Sequence, residues 1–456
     1  MASTYLTRTP ATTTNRKTFT FSAWLKKSSN GAQRNIFGTA GGDNNGWLTL
    51  LFASSDTLVV QQYTGNLLIT NAVYRDVSAW YHIVMAFDNT QATASNRIKL
   101  YVNGEQITSF STETYQEQNF ETGINLNSQI HYIGRQGINY FDGSMAHIHF
   151  TDGTAYDASA FGETDATTGI WKPKTAPSVT YGTNGFFLKF ANSGSMGTDS
   201  SGNGNNFTVN GTMTQTIDTP SNVFTTWNGI LSYGSTMSLA NGNTTANTSS
   251  SHEAGKYLSY FTSLGMTAGK YYAEFKITSN ANESVIGISS NLEDDVLGST
   301  SSAYNFIYKG NGWGYYGSNG NVFHTNSDTQ LSYGNSLANN DILGVALDLD
   351  NLKLYFSKNG VWQNSADPVA GTGDVVSAGA KALNGSGSTG TYYFCCADFA
   401  QATVCNVQAN FGNGYFGTTA VSSAQSPSDG IGIFEYAVPS GYKALCTKSI
   451  NAQEYS

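Results

Sequence analysis

Charge is the first thing this chain of 456 residues is short of. Its 22 Lys and Arg and 31 Asp and Glu make up 12% of the residues, about half the ordinary share. The net charge of −9 and the pI near 5.1 argue against a nucleic-acid partner. Neutralising phosphates takes clustered Lys and Arg, and here those residues are scattered singly. No apolar run approaches the roughly 20 residues of a membrane span, so membrane insertion is not expected. The opening MASTYLTRTPATTTNRK also lacks the apolar stretch of a secretion signal. Cysteine is missing from residues 1–394, which excludes a disulfide framework for most of the chain. The four cysteines, Cys395, Cys396, Cys405 and Cys446, contain no CxxC pair, so a structural zinc site is not expected. Cys395 and Cys396 lie in the apolar run YYFCCADF, where a strand sends neighbours to opposite faces as small buried hydrophobes.

What is abundant points to β-structure. There are 49 Gly, 27 Tyr and 25 Phe, and Ser, Thr and Asn supply much of the rest. Aromatic and β-branched side chains suit a pleated surface, while Gly and Asn suit tight turns. The chain is too aromatic for disorder and too poor in Ala, Glu, Lys and Leu for a coiled coil. In Thr18–Lys26 the residues Phe19, Phe21, Ala23 and Leu25 share one face, and Thr20, Ser22 and Trp24 the other. Further strands are predicted at Trp47–Ala53, Thr57–Tyr63, Trp80–Phe87, Arg97–Val102, His131–Gly134, Met145–Phe150 and Gly185–Phe190. Turn signals separate them: GGDNNG at 41–46, Asn103-Gly104, Asp142-Gly143 and Asp152-Gly153. Between Asp199 and Tyr257 the sequence thins into Gly, Asn, Ser and Thr tracts that read as exposed loop or linker. A second series follows at Lys270–Thr278, Ser284–Ser289, Tyr304–Tyr308, Gly312–Tyr316, Ile342–Asp348, Lys353–Ser357, Tyr392–Ala397 and Val404–Phe411. The expectation is an all-β chain of two β-sandwich domains. Its parts are an N-terminal arm (1–17), a first sandwich (18–218), a linker leading into the second domain (219–256) and a second sandwich with a C-terminal tail (257–456).

The first half resembles the laminin-G/concanavalin A-like jelly rolls. The matching pieces are FTFSAWLK (19–26), Trp80-Tyr81-His82-Ile83-Val84, KLYVNGEQI (99–107), Ile133-Gly134-Arg135 and FDGSMAHIHFTDG (141–153). On that reading Trp24 and Trp80 anchor the core between the sheets. The second half resembles a SPRY (B30.2-like) domain, through GKYYAEFKI (269–277), SVIGISS (284–290), DILGVALDLDNLKLYFSKNG (341–360) and NVQANFG (406–412). The combination, with YGTNGFFLKF (181–190), DSSGNGNNFTV (199–209) and PSGYKALCT (439–447), is similar to structural proteins of tailed bacteriophages, marine ones especially.

That resemblance implies a virion component: a tail fibre, a receptor-binding tip or a head decoration. It would be assembled in the host cytoplasm and released by lysis. Its expected partners are capsid or tail proteins, host surface polysaccharide and its own copies, with a trimer as the symmetry suggested by analogy. Residues 1–17 are the expected attachment arm. A secreted bacterial adhesin or carbohydrate-binding protein is the alternative.

Catalysis is not expected. Retaining glycosidases need two carboxylates about 5 Å apart, and no Glu-x-Asp-x-Glu pattern occurs. Asp348-Leu349-Asp350 reads as a solvated hairpin turn, and Glu293-Asp294-Asp295 as a charged loop. No cofactor is expected, with calcium the one candidate ion. Its loop is Asp199–Asn206, where Asp199, Asn203 and Asn205 offer hard oxygen donors, against the competing reading of a self-bonded turn. His147 and His149, with Asp152 nearby, are a weaker transition-metal candidate.

Carbohydrate recognition needs exposed aromatic faces among amides and carboxylates. Two loops offer them: Asp43, Asn44, Asn45 and Trp47 in GGDNNGW, and Trp313, Tyr315 and Tyr316 in GNGWGYYGSNGN. The competing reading turns Trp313 and Tyr315 into the core and makes 43–45 a plain solvated turn.

Overall fold

The fold comes from a computed structural model, which describes residues 4–230, 238–247, 259–290, 306, 311–324, 330–385, 387–398 and 404–454. The chain divides into two compact units, Met1–Gln215 and Thr216–Ser456.

The first unit is a sandwich of two antiparallel sheets. The eight-stranded sheet runs, in spatial order, Phe110–Glu113, Gly65–Val73, Thr57–Gln62, Trp47–Phe52, Arg34–Ala40, His131–Ile133, Tyr5–Arg8 and Thr208–Asn210. The six-stranded sheet runs Phe186–Leu188, Gly143–Asp152, Thr18–Lys27, Tyr81–Asp88, Ile98–Val102 and Glu105–Gln106. Alternation builds the core between them. Phe19, Phe21, Ala23 and Leu25 of Thr18–Lys27 are fully buried, and Phe21 stacks on Phe37 of the opposing sheet at 4.4 Å. Each such ring removed from water is worth about 2–3 kcal/mol. The hairpin at Asn103-Gly104 has positive φ at both residues (51° and 91°), the geometry that an Asn-Gly pair favours.

Two expectations for this unit are corrected. Residues 5–8 are not part of a free arm: they form a strand bonded on both sides, and Leu6 is buried in the core opposite Ile133. Farther along, Arg16 is bonded to Glu121 and to the carbonyl of Thr122. Trp24 and Trp80 do not anchor the intersheet core. Trp24 follows the outward parity of Thr20 and Ser22 and stacks on His82 at 4.7 Å. Trp80 is buried but stands outside the intersheet cluster.

The second unit is also a two-sheet sandwich. One sheet runs Ser238–Ala240, Thr245–Asn247, Asn406–Asn410, Lys270–Ser279, Ile342–Asp348, Lys353–Lys358 and Val361–Trp362, with Lys443–Ala444 added in parallel to Lys270–Ser279. The other runs Ser259–Phe261, Tyr393–Asp398, Ser284–Ser289, Gly312–Tyr316, Val322–His324 and Gln330–Leu331. Cys395 and Cys396 fall in different apolar clusters on the two faces of their strand, as alternation requires. The tail packs Phe434, Tyr442, Ala444 and Cys446 against Tyr272 and Tyr355.

The 219–256 linker is corrected in part. Trp227 is fully buried and meets Phe411 edge-on at 5.3 Å, and with Phe224 it makes the start of this segment part of the core. Ser238–Ala240 and Thr245–Asn247 form a hairpin that extends the sheet. Asp348 is likewise no solvated turn residue: it is buried and pairs with Lys270 at 2.8 Å. The Glu293–Asp295 loop lies outside the described residues, as does the Tyr304–Tyr308 strand apart from the buried Phe306.

Candidate functional site

The loop at 41–47 is held by close backbone approach. A Cβ on Gly41 would lie 2.4 Å from Gly46 Cα, and one on Gly123 would lie 2.4 Å from Gly46 O. Only glycine fits at these contacts. The amides of Gly46 and Trp47 both donate to Asp43 O, closing the turn. Asn44 exchanges two bonds with Thr64 of the neighbouring hairpin, donating to Oγ1 at 3.0 Å and accepting from the amide at 2.9 Å. Asn45 donates to Glu121 O, and its own carbonyl accepts from Arg16.

These bonds leave an aromatic corner. Trp47 is half-buried and meets Tyr63 edge-on at 5.9 Å; Tyr63 is 54% exposed. Asp43 is exposed, and its carboxylate accepts no hydrogen bond among the described residues. Of the four candidates here, Asn44 and Asn45 position the loop, while Trp47 and Asp43 offer surface. Tyr63 was not expected at the site. It stands at the end of a strand, next to the Thr64-Gly65 turn, and that placement is the signal that marks it.

The other aromatic candidates are corrected. Trp313 and Tyr315 alternate into the core of the second unit, 1% and 0% exposed. Trp313 Nε1 donates to Lys381 O at 2.9 Å, and Tyr315 donates to Asn335 O. Tyr316 points to the other face, half-buried against Phe323 at 5.4 Å. The strand's period of two therefore puts Trp313 and Tyr315 on the core face and Tyr316 on the other.

The Asp199–Asn206 loop does not fit calcium. The Asp199 carboxylate is taken by the amides of Phe187, Ser201 and Asn205 and by the Ser201 hydroxyl. Asn203 and Asn205 turn their amide nitrogens toward the carbonyls of Gly182, Thr183 and Gly185. Arg8 donates to the remaining Asn205 oxygen. A cation would have to displace a guanidinium and break the turn.

His147 and His149 both stack near Phe187, at 6.1 and 4.0 Å. Asp152 takes the opposite parity and accepts from Asn125 Nδ2 and the Asn184 amide. Among the described residues no group of three His, Cys, Asp or Glu is placed to hold a metal. His149 accepts from or donates to Tyr181 Oη at 2.9 Å, and burial holds its pKa well below the ordinary range, with His147 and His82 adding to the effect.

A shallow cleft of about 380 Å³ lies on the outer face of the six-stranded sheet, lined by Asp88, Lys99, Tyr101, Tyr156 and Asp157 among others. Its carboxylates are engaged: Asp88 accepts from Thr90 and Gln91, and Asp157 from Ser159.

Residues 2–159 match the concanavalin A-like lectin/glucanases superfamily, and residues 270–371 match the SPRY domain. Both matches agree with the all-β, two-sandwich fold of the chain. No curated protein matches. Among solved structures, the SPRY domain of human HERC1 is 18% identical, with 40% of this chain and 96% of that one covered and a TM-score of 0.28. A SAP-like pentraxin from Limulus polyphemus is 15% identical, covering 34% and 72%, TM-score 0.26. A putative carbohydrate binding protein from Bacteroides ovatus is 18% identical, covering 46% and 56%, TM-score 0.28.

Proposed function

We propose that this chain is a non-enzymatic recognition protein that binds surface glycans through its first sandwich. The carrying observation is the Trp47–Tyr63 corner, edged by the open Asp43 carboxylate and the Asn44–Thr64 pair. Two rings at an angle present apolar faces to a sugar, and the flanking oxygens bond hydroxyls. The match to a lectin and glucanase superfamily supports the class of ligand. Binding is favoured over hydrolysis because Asp88 and Asp157 in the cleft are occupied by their own turns. Our finer reading places the chain in a bacteriophage particle, as a fibre, tail tip or head decoration made in the host cytoplasm. Capsid or tail proteins and further copies of itself would be its partners.

The test is binding of fluorescent chain to candidate host cells before and after periodate oxidation of their sugars. Binding that oxidation abolishes, and that Trp47→Ala and Tyr63→Ala each reduce at least tenfold, is the expected result. Binding untouched by periodate would overturn the glycan reading. Mass spectrometry of purified particles from the same host tests the virion placement, which falls if the chain is missing from them.

A further inference from the structure

Outside the loop corner, the first unit carries a second polar aromatic cluster built on the outward face of its large sheet. Leu6 and Ile133 point into the core, so Tyr5 and Tyr132 on the same paired strands point out. Gly134, with φ of 80°, turns the chain into the short hairpin Arg135-Gln136/Asn139-Tyr140. That turn lays Arg135 over all three tyrosines, with its guanidinium carbon 4.5 Å from the ring centre of Tyr5, 5.5 Å from Tyr140 and 5.8 Å from Tyr132. The Arg135 Nε donates to Gly137 O at 2.9 Å, which fixes the plane of the group. All four side chains are half-buried, neither sealed nor loose.

The polar ends of this cluster are unused. Among the described residues no carboxylate pairs with Arg135, and neither its Nη atoms nor the three phenol hydroxyls have a hydrogen-bond partner. Two buried cations of this unit are matched by contrast, Lys27 by Asp56 at 2.9 Å and Arg34 by Asp142 at 3.4 Å. A guanidinium fork is shaped for a carboxylate, and held against rings it loses little freedom on binding. In a chain of net charge −9 the general field repels anions, so an anionic ligand needs a local cation of this kind. Three phenols beside the fork can each give or take a bond to a hydroxyl. One carboxylate with several hydroxyls on a compact ring is the chemistry of an acidic sugar.

We infer that Tyr5, Tyr132, Arg135 and Tyr140 form a binding site for a carboxylate-bearing sugar residue. The inference rests on the glycan-binding reading and specifies one class of sugar and a site apart from the Trp47 loop. Its test is titration of the intact chain with oligomers of galacturonate, glucuronate and sialate, each beside its carboxyl-reduced counterpart. At least one acidic oligomer should bind about tenfold or more tighter than its reduced form. Arg135→Gln should erase that preference, and Arg135→Lys should restore only part of it, because the charge returns without the fork. Unchanged thermal unfolding of both variants shows that the sheet is intact. A merely structural Arg135 would leave the acidic-to-reduced ratio where it was, and that overturns the inference. So does equal binding of all reduced and acidic oligomers, or of none, or binding of polyglutamate as tight as the best sugar, which would indicate a peptide surface. The outcome is separable from the broader reading: periodate-sensitive cell binding that Arg135→Gln leaves unchanged keeps the glycan function and removes this site.

Discussion

Trp171 donates its indole Nε1–H to Nδ1 of His82 at 3.0 Å, and this one bond fixes the protonation of a buried histidine. An indole nitrogen can only donate, so Nδ1 accepts and the His82 proton sits on Nε2, 2.9 Å from Ser22 Oγ. The imidazole stacks on Trp24 and is fully buried. Burial, reinforced by His147, lowers its pKa to about 3.

Acid should therefore unfold the first unit. His82 takes up a proton near pH 6.5 when unfolded but only near pH 3 when folded. Its contribution is complete above pH 6.5 and lost as the pH falls from there toward 3. The size is on the order of 4 kcal/mol from His82 alone, and His149 acts in the same direction. Thermal melts at pH 7, 5 and 4 should show a steadily falling midpoint for this unit. A His82→Gln variant should start lower and fall less steeply. A midpoint flat from pH 7 to 4 would contradict the assignment.

The tail of the second unit hangs on Glu274. This fully buried carboxylate accepts from the amides of Glu435 and Tyr436 at 2.8 Å each, from Asn410 Nδ2 at 3.2 Å and from Tyr272 Oη at 3.2 Å. All four partners donate. Glu274→Gln replaces one acceptor oxygen by an NH₂ facing donors, at a cost of about 2–3 kcal/mol. Hydrogen exchange at the Glu435 and Tyr436 amides should quicken at least tenfold in the variant. Exchange as slow as in the parent chain would show that the tail is held elsewhere.

The strands that the sequence displays best are those with one clear period. Thr18–Lys27 and Ile342–Asp348 are legible because apolar side chains alternate or run unbroken between turns. Arg34–Ala40 hides because its polar residues Arg34, Asn35 and Thr39 are also buried, with Asn35 bonded to Gln136 O and Thr39 to the Leu48 amide, partners that no local pattern reports. The same limit applies to the site. GGDNNGW marks a surface loop by composition, yet which of its side chains are spent depends on Thr64 and Glu121, far away in the chain. Gly312–Tyr316 is legible as a strand, but its Gly- and Asn-rich flanks leave open whether Trp313 and Tyr315 face the core or a ligand, and the pairing with Ser284–Ser289 and the burial of both rings decide for the core. Arg135 becomes conspicuous only when folding brings Tyr5 over it.

Trp313 and Trp47 should separate stability from binding. Trp313 is sealed in the core and bonded to Lys381 O. Trp313→Ala should cost about 3–5 kcal/mol and lower the melting midpoint of the second unit by about 10 °C or more. Trp47 is half-exposed at a loop end, so Trp47→Ala should cost about 1 kcal/mol and leave the second unit unmoved. Paired melts and cell-binding assays check both. A Trp313→Ala variant that melts normally and loses binding would restore that residue to the ligand surface.

Calcium should do nothing to the first unit. A site of Kd about 0.1 mM would raise stability by about 2 kcal/mol at about 5 mM ion, readily visible in a melt. Two of the three candidate donors in the Asp199 loop are already engaged, since the carboxylate is capped by three amides and a hydroxyl and Arg8 covers the Asn205 oxygen. Melting midpoints in calcium and in EDTA should therefore coincide. The informative companion is Arg8→Gln, which removes the guanidinium from Asn205 while leaving the Asp199 turn in place. If calcium stabilises that variant and not the parent chain, Arg8 is itself the cation that the loop is built around. If calcium stabilises the parent chain, the internal bonding described for Asp199 and Asn205 is wrong.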